Sequence, residues 1–536
     1  MTDYDVVVAG AGPVGLFLGC ELRLGGARVL VVERLTEVDE TIKAGAVNTP
    51  TAVAFYRRGL LPELTAAWEK ARSGMQAFAR QSGGEPRTPP KFAGHFAGIM
   101  MNPDLFDESD PAYVDIGPAD SAGLGVPQAE LERILAARAG ELGVEVRRGV
   151  ELTGFTADEE GVTVTLAGHA QVRAGWLVGC DGGRSTVRKL AGFDFPGTAP
   201  EITGYQAVVE MTGAERLGRG WNTTGKGTYV NGPFPGRILT VEFDGPPSDR
   251  TAPITTEEVQ AALRRVSGVP EVTIHRVHSL TRFTDNARQA TTYREGRVLL
   301  AGDAAHVHSP FGGQGLNLGI GDAMNLGWKL AAVAGGRAPQ ALLDTYTAER
   351  HPIGAWVLDW TRAQIALMRP DQHARALRRV VTDLALTTTG TTYLVKKISG
   401  VWQHYDLPGD HPLTGHSAPD LVLSDGTRLG DHLHAGRALL LDLADDPALR
   451  ARAAGHGDRV DVVSATCPDR PGTAALLVRP DGFVAWAAER AGGTEGGNGD
   501  DEEGGKPGAA LAESLERWFG APAEATRPLP SGAREG

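Results

Sequence analysis

Six residues, Gly10-Ala11-Gly12-Pro13-Val14-Gly15, stand between an apolar run, Tyr4 to Ala9, and a stretch with helical spacing, Pro13 to Leu24. A second apolar run, Ala27 to Val32, ends at Glu33. The order reads as strand, tight turn, helix, strand. Gly10 permits the tight turn, Gly12 lets the backbone approach a pyrophosphate, and Gly15 lets helix and strand pack closely. The helix opening at Pro13 offers free N–H groups and the positive end of its dipole to phosphates. Glu33 follows Gly15 by 18 residues, where a carboxylate can hold ribose hydroxyls. This unit implies a dinucleotide ligand, and by itself it does not choose between FAD and NAD.

The rest of the chain is organised around that unit. At 536 residues the length predicts about three domains. A further α/β stretch runs from Gln128 to Asp181, with a helix over Ala129 to Leu142, a strand pair within Val144 to Leu166 and a strand over Ala174 to Cys180. Residues 186 to 290 differ, because Tyr205 to Met211, Thr228 to Val230, Ile238 to Phe243 and Val272 to Leu280 alternate as an antiparallel sheet does. A helix over Glu257 to Val266 is expected behind a Thr256 cap. Val298 to Ala301 returns to a buried parallel-type strand. A long helical zone follows over Gly315 to Gly335, Leu342 to Leu367 and His373 to Thr388. From about Gly415, strands at Leu439 to Leu443, Val460 to Val463, Ala475 to Val478 and Phe483 to Ala487 form a small separate α/β unit closed by a helix at Leu511 to Phe519. Residues 491–508 are acidic and Gly-rich and are expected to be a flexible loop, with a loose tail over 521–536.

Charge and cysteine usage exclude several classes. The formal net charge of −13 repels nucleic-acid phosphates. No window is long and apolar enough for a membrane span, and the acidic start at Asp3 and Asp5 is unlike a signal peptide. Cys20, Cys180 and Cys467 are too dispersed for a disulfide framework or a metal pair, so a cytoplasmic setting is expected.

Two more strand-to-turn motifs carry chemistry. Gly179-Cys180-Asp181-Gly182-Gly183-Arg184-Ser185 leads into a helix containing Arg188, and its plain reading is an Asp-Gly turn with a Ser cap. Gly302-Asp303-Ala304-Ala305-His306 follows an apolar strand and continues through His308 and Pro310-Phe311-Gly312-Gly313-Gln314 to a helix opening at Gly315, Leu316 and Asn317. Backbone N–H groups at that helix start can bond a ring carbonyl and favour negative charge there. His306 and His308 have no third ligand nearby, so no metal site is expected.

These three motifs, in this order and spacing, resemble the single-component (group A) FAD-dependent aromatic hydroxylases, in the polyketide hydroxylase and phenol hydroxylase-like branch. The resemblance covers nearly the whole chain. It implies a para-hydroxybenzoate hydroxylase-like α/β FAD-binding fold over 1–185 and 280–400. An α+β substrate domain with an antiparallel sheet is implied over 186–279, with part of 75–125, and a thioredoxin-like domain over 415–520. By the resemblance, Gly10, Gly12, Pro13, Val14, Gly15, Glu33 and Arg34 serve the ADP half of FAD. Asp181 and Arg188 match the motif bearing on FAD and NADPH. Asp303 matches the ribityl-binding aspartate, and Pro310, Gly313, Gly315, Leu316 and Asn317 lie along the flavin ring. Gln128 falls near the phosphate and ribityl region. Lys43, in Lys43-Ala44-Gly45, stands where many members have Arg, and it keeps the charge without the bidentate fork. The terminal unit matches through Arg479-Pro480-Asp481-Gly482-Phe483-Val484-Ala485-Trp486, but Cys467 is alone, so that unit is expected to be redox-silent.

The activity so implied is an NADPH- or NADH-consuming monooxygenation, with O2 activated on reduced FAD as a C4a-hydroperoxide, and no catalytic base is chosen by the sequence. The substrate is expected between the antiparallel sheet and the flavin. Tyr205, Trp221, Tyr229, Phe234 and Phe243 are candidates for one wall, and His95, Phe96, Met100 and Met101 for a cap. The length, the third domain and Arg57-Arg58-Gly59-Leu60 look closer to bacterial aromatic-polyketide tailoring enzymes than to single-ring hydroxylases, which implies a polycyclic aromatic substrate and a monomer or homodimer. Baeyer–Villiger insertion or antibiotic inactivation is the alternative within the family, and a non-oxygenating FAD reductase or dehydrogenase the alternative outside it.

Overall fold

The computed structural model describes residues 2–81, 94–119, 125–232, 236–249, 252–490 and 505–522. Most of the expected 491–508 loop and 521–536 tail, and Phe234, lie outside the described residues. The strand Tyr4–Ala9 is central in an eight-stranded sheet ordered Arg294–Glu295, Val298–Leu300, Gln171–Gly179, Tyr4–Ala9, Val29–Glu33, Glu145–Arg148. The Leu152–Ala157 and Val162–Leu166 hairpin joins at the 171–179 strand. Tyr4–Ala9 pairs in parallel on both sides, and Val6, Val7 and Val8 are fully buried. That two-sided burial is why the segment is continuously apolar rather than alternating.

Parallel neighbours need crossovers, and α1 (Pro13–Leu24) makes the first. Next come α2 (Thr49–Tyr56), α3 (Leu61–Gln81), α4 (Gln128–Glu141), the short α5 (Thr186–Ala191) and α6 (Thr256–Ser267). The helical zone resolves into α7 (Gly315–Ala334), α8 (Asp344–Met368), α9 (Gln372–Ala385) and α10 (Thr388–Ser399). The middle segment forms a five-stranded antiparallel sheet ordered Gly220–Thr223, Gly227–Asn231, Arg237–Glu242, Thr203–Thr212, Thr273–Phe283. The last unit is a four-stranded mixed sheet of Val460–Ser464, Ala438–Asp442, Thr473–Val478 and Val484–Glu489, in which Cys467 is a buried free thiol.

Several details differ from the sequence expectation. The cap of α6 is Thr255, whose Oγ1 accepts from Glu258 N at 3.1 Å, one position before the expected Thr256. The expected 373–388 helix breaks at Leu386, and Thr387 caps a new helix by accepting from Gly390 N at 3.0 Å. Residues 145–166 hold three strands, because Glu145–Arg148 extends the parallel edge beside Val29–Glu33. The buried helix α2 has no sequence expectation, since it is buried on all sides, two threonines included, and lacks a helical stripe.

The terminal sheet is joined to the first unit by buried charge. Arg479, fully buried, donates from Nη1 and Nη2 to both Glu349 oxygens at 2.9 and 2.7 Å and also pairs with Asp481. Lys329 Nζ donates to Glu349 Oε2 at 2.9 Å. Arg58 pairs with Glu21 at 2.7 Å and donates to the Leu433 and Pro480 carbonyls. Removing one partner of such a cluster leaves an uncompensated charge and costs about 3–5 kcal/mol. Glu349→Gln should therefore lower the denaturant midpoint sharply, and a wild-type midpoint would contradict this role.

Candidate flavin site

The glycine turn has the geometry its residues require. Gly10 has φ +106°, and a Cβ there would fall 2.4 Å from the Cys180 carbonyl oxygen. A Cβ on Gly15 would fall 1.9 Å from the Gly10 oxygen. Gly12, by contrast, has open space beside it and precedes an α1 N-terminus with no side-chain cap. Pro13 and Val14 form the first turn of that helix. The Glu33 carboxylate is fixed against the turn, accepting from Ala11 N and Leu35 N, both at 2.9 Å. Arg34 is exposed. Lys43 is exposed and pairs with Asp39 at 2.8 Å. Gln128 and Ala44 bond reciprocally, Gln128 N to the Ala44 carbonyl at 2.9 Å and Ala44 N to Gln128 Oε1 at 3.4 Å, which ties the 43–45 loop to the start of α4.

The other two motifs meet beside this turn. Asp181 Oδ2 accepts from Thr186 N and Val187 N, and Ser185 Oγ accepts from Arg188 N, so the Asp-Gly turn with a Ser cap is present. Asp181 Oδ1 is nevertheless buried with no hydrogen-bond partner among the described residues. Arg188 donates from Nη1 to the Ala304 carbonyl at 2.9 Å and from Nη2 to the Gly183 carbonyl at 2.8 Å, and it lies 3.8 Å over the Phe195 ring. It thereby fastens the second motif to the third. Asp303 is exposed, and its Oδ1 lies 3.8 Å from where a Gly315 Cβ would stand. The loop through Pro310 and Gly313 delivers α7, whose N-terminus has no side-chain cap. Leu316 and Asn317 supply first-turn N–H groups. The Asn317 side chain accepts from Asn48 N and donates to the Gly313 carbonyl, each at 2.8 Å.

Beneath these turns lies a cluster the sequence reading missed. Asp322 accepts from His306 Nε2 at 2.6 Å, Arg350 Nε at 2.8 Å and Gly302 N at 3.0 Å, all out of contact with water. Burial pushes its carboxyl up, but His306 and Arg350 hold it below the ordinary carboxylate value. Asp322 and Lys329, two charged residues inside the mostly apolar 315–335 zone, were the available signal. The cluster fixes the Gly302-Asp303 turn from below.

The aromatic candidates divide by sheet face. Tyr205 and Tyr229 pack toward α6 in the outer core, with Tyr205 OH near Glu258, so they do not face the Pro310–Gly313 loop. Trp221 and Phe243 pack on the opposite face with Phe311, which follows Pro310. His95 lies 4.3 Å from the Trp221 ring, Trp221 5.9 Å from Phe311, and Phe96 4.4 Å from Trp360. Gln364 links the two walls, accepting from Ala97 N at 3.0 Å and donating to the Phe311 carbonyl at 3.3 Å. Met101 is buried here, whereas Met100 is exposed.

Residues 3–361 match the family model described as FAD binding domain, and residues 411–522 match the one described as Aromatic-ring hydroxylase, C-terminal. The chain belongs to the FAD-dependent aromatic-ring hydroxylases. This hydroxylase is 43% identical over 97% of its length, and 99% of the relative's, to the 12-dehydrotetracycline 5-monooxygenase/anhydrotetracycline 6-monooxygenase of Streptomyces rimosus. It is 41% identical, over 97% of its length and 99% of the relative's, to a rifampicin monooxygenase of Streptomyces venezuelae. A solved anhydrotetracycline hydroxylase from Streptomyces rimosus superposes with a TM-score of 0.81 at 42% identity, covering 97% of this chain and 100% of that one. The hydroxylase is a monooxygenase that uses FAD, NAD(P)H and O2. No helix among its described residues is long and apolar enough to cross a membrane.

The His95 ring gives a pH test. Burial, with Arg378 nearby, pushes the imidazole from 6.5 down to about 4. The folded state holds the neutral ring, so the stability this contributes is complete above 6.5 and declines as pH falls toward 4. Thermal midpoints between pH 7.5 and 4 should fall less steeply for His95→Gln than for wild type; parallel profiles would sink the assignment.

Proposed function

We propose that the enzyme hydroxylates a polycyclic aromatic polyketide, as a tailoring step in making an antibiotic. In this reading FAD lies across the three turns. Gly10, Gly12, Pro13, Val14, Gly15, Glu33 and Arg34 take its ADP half, Lys43 the pyrophosphate, and Gln128, Asp181, Arg188 and Asp303 its middle. Pro310, Gly313, Gly315, Leu316 and Asn317 line the ring. The reading is supported by the Arg188 bridge between the Gly183 and Ala304 carbonyls, which ties the Asp181 turn to the Gly302-Asp303 turn. The open space at Gly12, the uncapped starts of α1 and α7 and the partnerless Asp181 Oδ1 fit the group.

FAD reduced by NAD(P)H supplies the activated oxygen. The protein's part is positioning and electrostatics. The first-turn N–H groups of α7 favour negative charge at the ring edge beside them. Trp221, Phe243, Phe311 and Phe96 belong to one apolar cluster, and in this reading its surface orients an aromatic substrate and excludes water. The chain divides in this reading into the FAD unit (1–185 and 280–400), the substrate unit (186–279) and the redox-silent terminal unit (415–520). The similarity to a rifampicin monooxygenase favours a second reading, oxidation that inactivates an antibiotic.

Asp303→Ala should purify with little or no FAD while its melting profile stays cooperative; wild-type flavin content would contradict the cradle. With polycyclic aromatic polyketides, wild type should show substrate-stimulated NADPH oxidation, O2 uptake and a product heavier by about 16 Da. NADPH oxidation coupled to substrate reduction without O2 uptake would overturn the monooxygenase reading. Turnover restricted to finished antibiotics would favour the second reading.

A further inference from the structure

A cavity of about 870 Å3 lies on the side of α7 turned away from the glycine turns. Asn317, Ile320, Gly321 and Met324 line it. Gly315, Gly319 and Asp322, on the opposite helix face, turn toward Asp303, Gly302 and His306. The doubly bonded Asn317 amide stands at the boundary between the two sides. The remaining walls come from α2, the 107–116 loop, α10 and the terminal unit near Ser417 and Phe483. No residue of the five-stranded sheet lines the cavity, so it is separate from the proposed substrate enclosure.

Its charges are unevenly matched. Lys396 pairs with Asp110 at 2.9 Å, Arg470 with Asp115 at 2.6 Å and Arg350 with Asp322 at 2.8 Å, and Asp481 pairs with Arg479. Asp107 is exposed and accepts from Ser109. Lys397 makes no ion pair among the described residues, and its Nζ lies 4.6 Å from the Trp402 ring centroid and 5.8 Å from that of Tyr393. Arg57 is buried and, among the described residues, donates only to the Ala418 and Gly482 carbonyls and keeps Nε without a partner. The Thr49 hydroxyl and the Trp402 indole N–H are also buried without partners. Buried donors of this kind require an explanation. The wall thus combines two cations lacking a carboxylate partner with the aromatic surfaces of Trp402, Tyr405 and Phe483. The volume falls within the range of about 300–1,000 Å3 typical of small-molecule sites.

We propose that this cavity is a second small-molecule site that binds a planar aromatic anion, a phenolate or carboxylate, with its ring against Trp402 and its charge at Lys397. The proposal goes beyond the oxidation reaction and does not depend on which compound is oxidised. Equilibrium dialysis of the full-length, FAD-loaded enzyme against anthraquinone-2-carboxylate tests it. The expected result is a bound equivalent whose affinity falls at least about tenfold in Lys397→Met and further in Lys397→Glu. Flavin content and flavin absorbance should stay unchanged. Lys397→Arg, which keeps the charge, should bind within about threefold of wild type. Absence of binding to wild type, or equal affinity across all four proteins, would overturn the proposal. Substrate-stimulated NADPH oxidation on the same preparations reads the flavin site instead, so its failure and the failure of the cavity site are distinguishable.

Discussion

Two cations and two carboxylates, Lys329, Arg479, Glu349 and Asp481, are shut away from water where the terminal sheet meets α7 and α8. Each would cost several kcal/mol to bury alone, so the cluster is tolerated only as a neutral, fully bonded set. That requirement fixes three pieces of chain at once: the Arg479–Phe483 turn, the body of α7 and the middle of α8. The terminal unit is therefore held to the helices by a condition on charge rather than by apolar area alone. The same helices reach the Gly302-Asp303 turn, α7 through its start at Gly315 and α8 through Arg350.

Neighbouring residues on α8 serve two different clusters. Glu349 belongs to the set facing the terminal sheet, and Arg350 to the set around Asp322 that supports the Gly302-Asp303 turn. Asp322 and Lys329 are likewise both on α7. A displacement of the terminal unit would act on helices that also position Asp303 and the first turn of α7. This gives the terminal unit, whose Cys467 is a free thiol, a physical connection to the Gly302-Asp303 turn.

Legibility in the sequence followed the range of the forces involved. The glycine hexad is readable because its constraint is local: Gly10 and Gly15 must lack a Cβ wherever strand, turn and helix cross so closely. The Arg188 tether was visible only as a residue in a motif, since one of its two acceptors, the Ala304 carbonyl, lies on a turn 116 residues away. Arg57 and Arg58 were conspicuous in the sequence, but their partners near residues 418, 433 and 480–482 belong to another unit. Tyr205 and Tyr229 could not be placed because both faces of the middle sheet are covered, one by α6 and one by the α8–α10 layer. Alternation then shows that a strand is amphipathic by position without showing which face meets the ligand. The break at Thr387 was hidden because its marks, a hydroxyl cap and Gly390, where a Cβ would fall 1.9 Å from the Leu384 carbonyl oxygen, follow the end of the first helix rather than interrupt it.

The two-sided covering of the middle sheet limits how such an enzyme can change. Positions turned toward α6 carry the stability of the unit, and enlarging or shrinking them disturbs a closed core. Positions turned toward Phe311, among them Trp221, Leu239, Val241, Phe243 and Phe283, adjoin the helical layer instead. In the proposed reading, adaptation to a new ring system is channelled through a few alternate residues on those strands and through the His95–Met101 hairpin, leaving the scaffold's other face untouched.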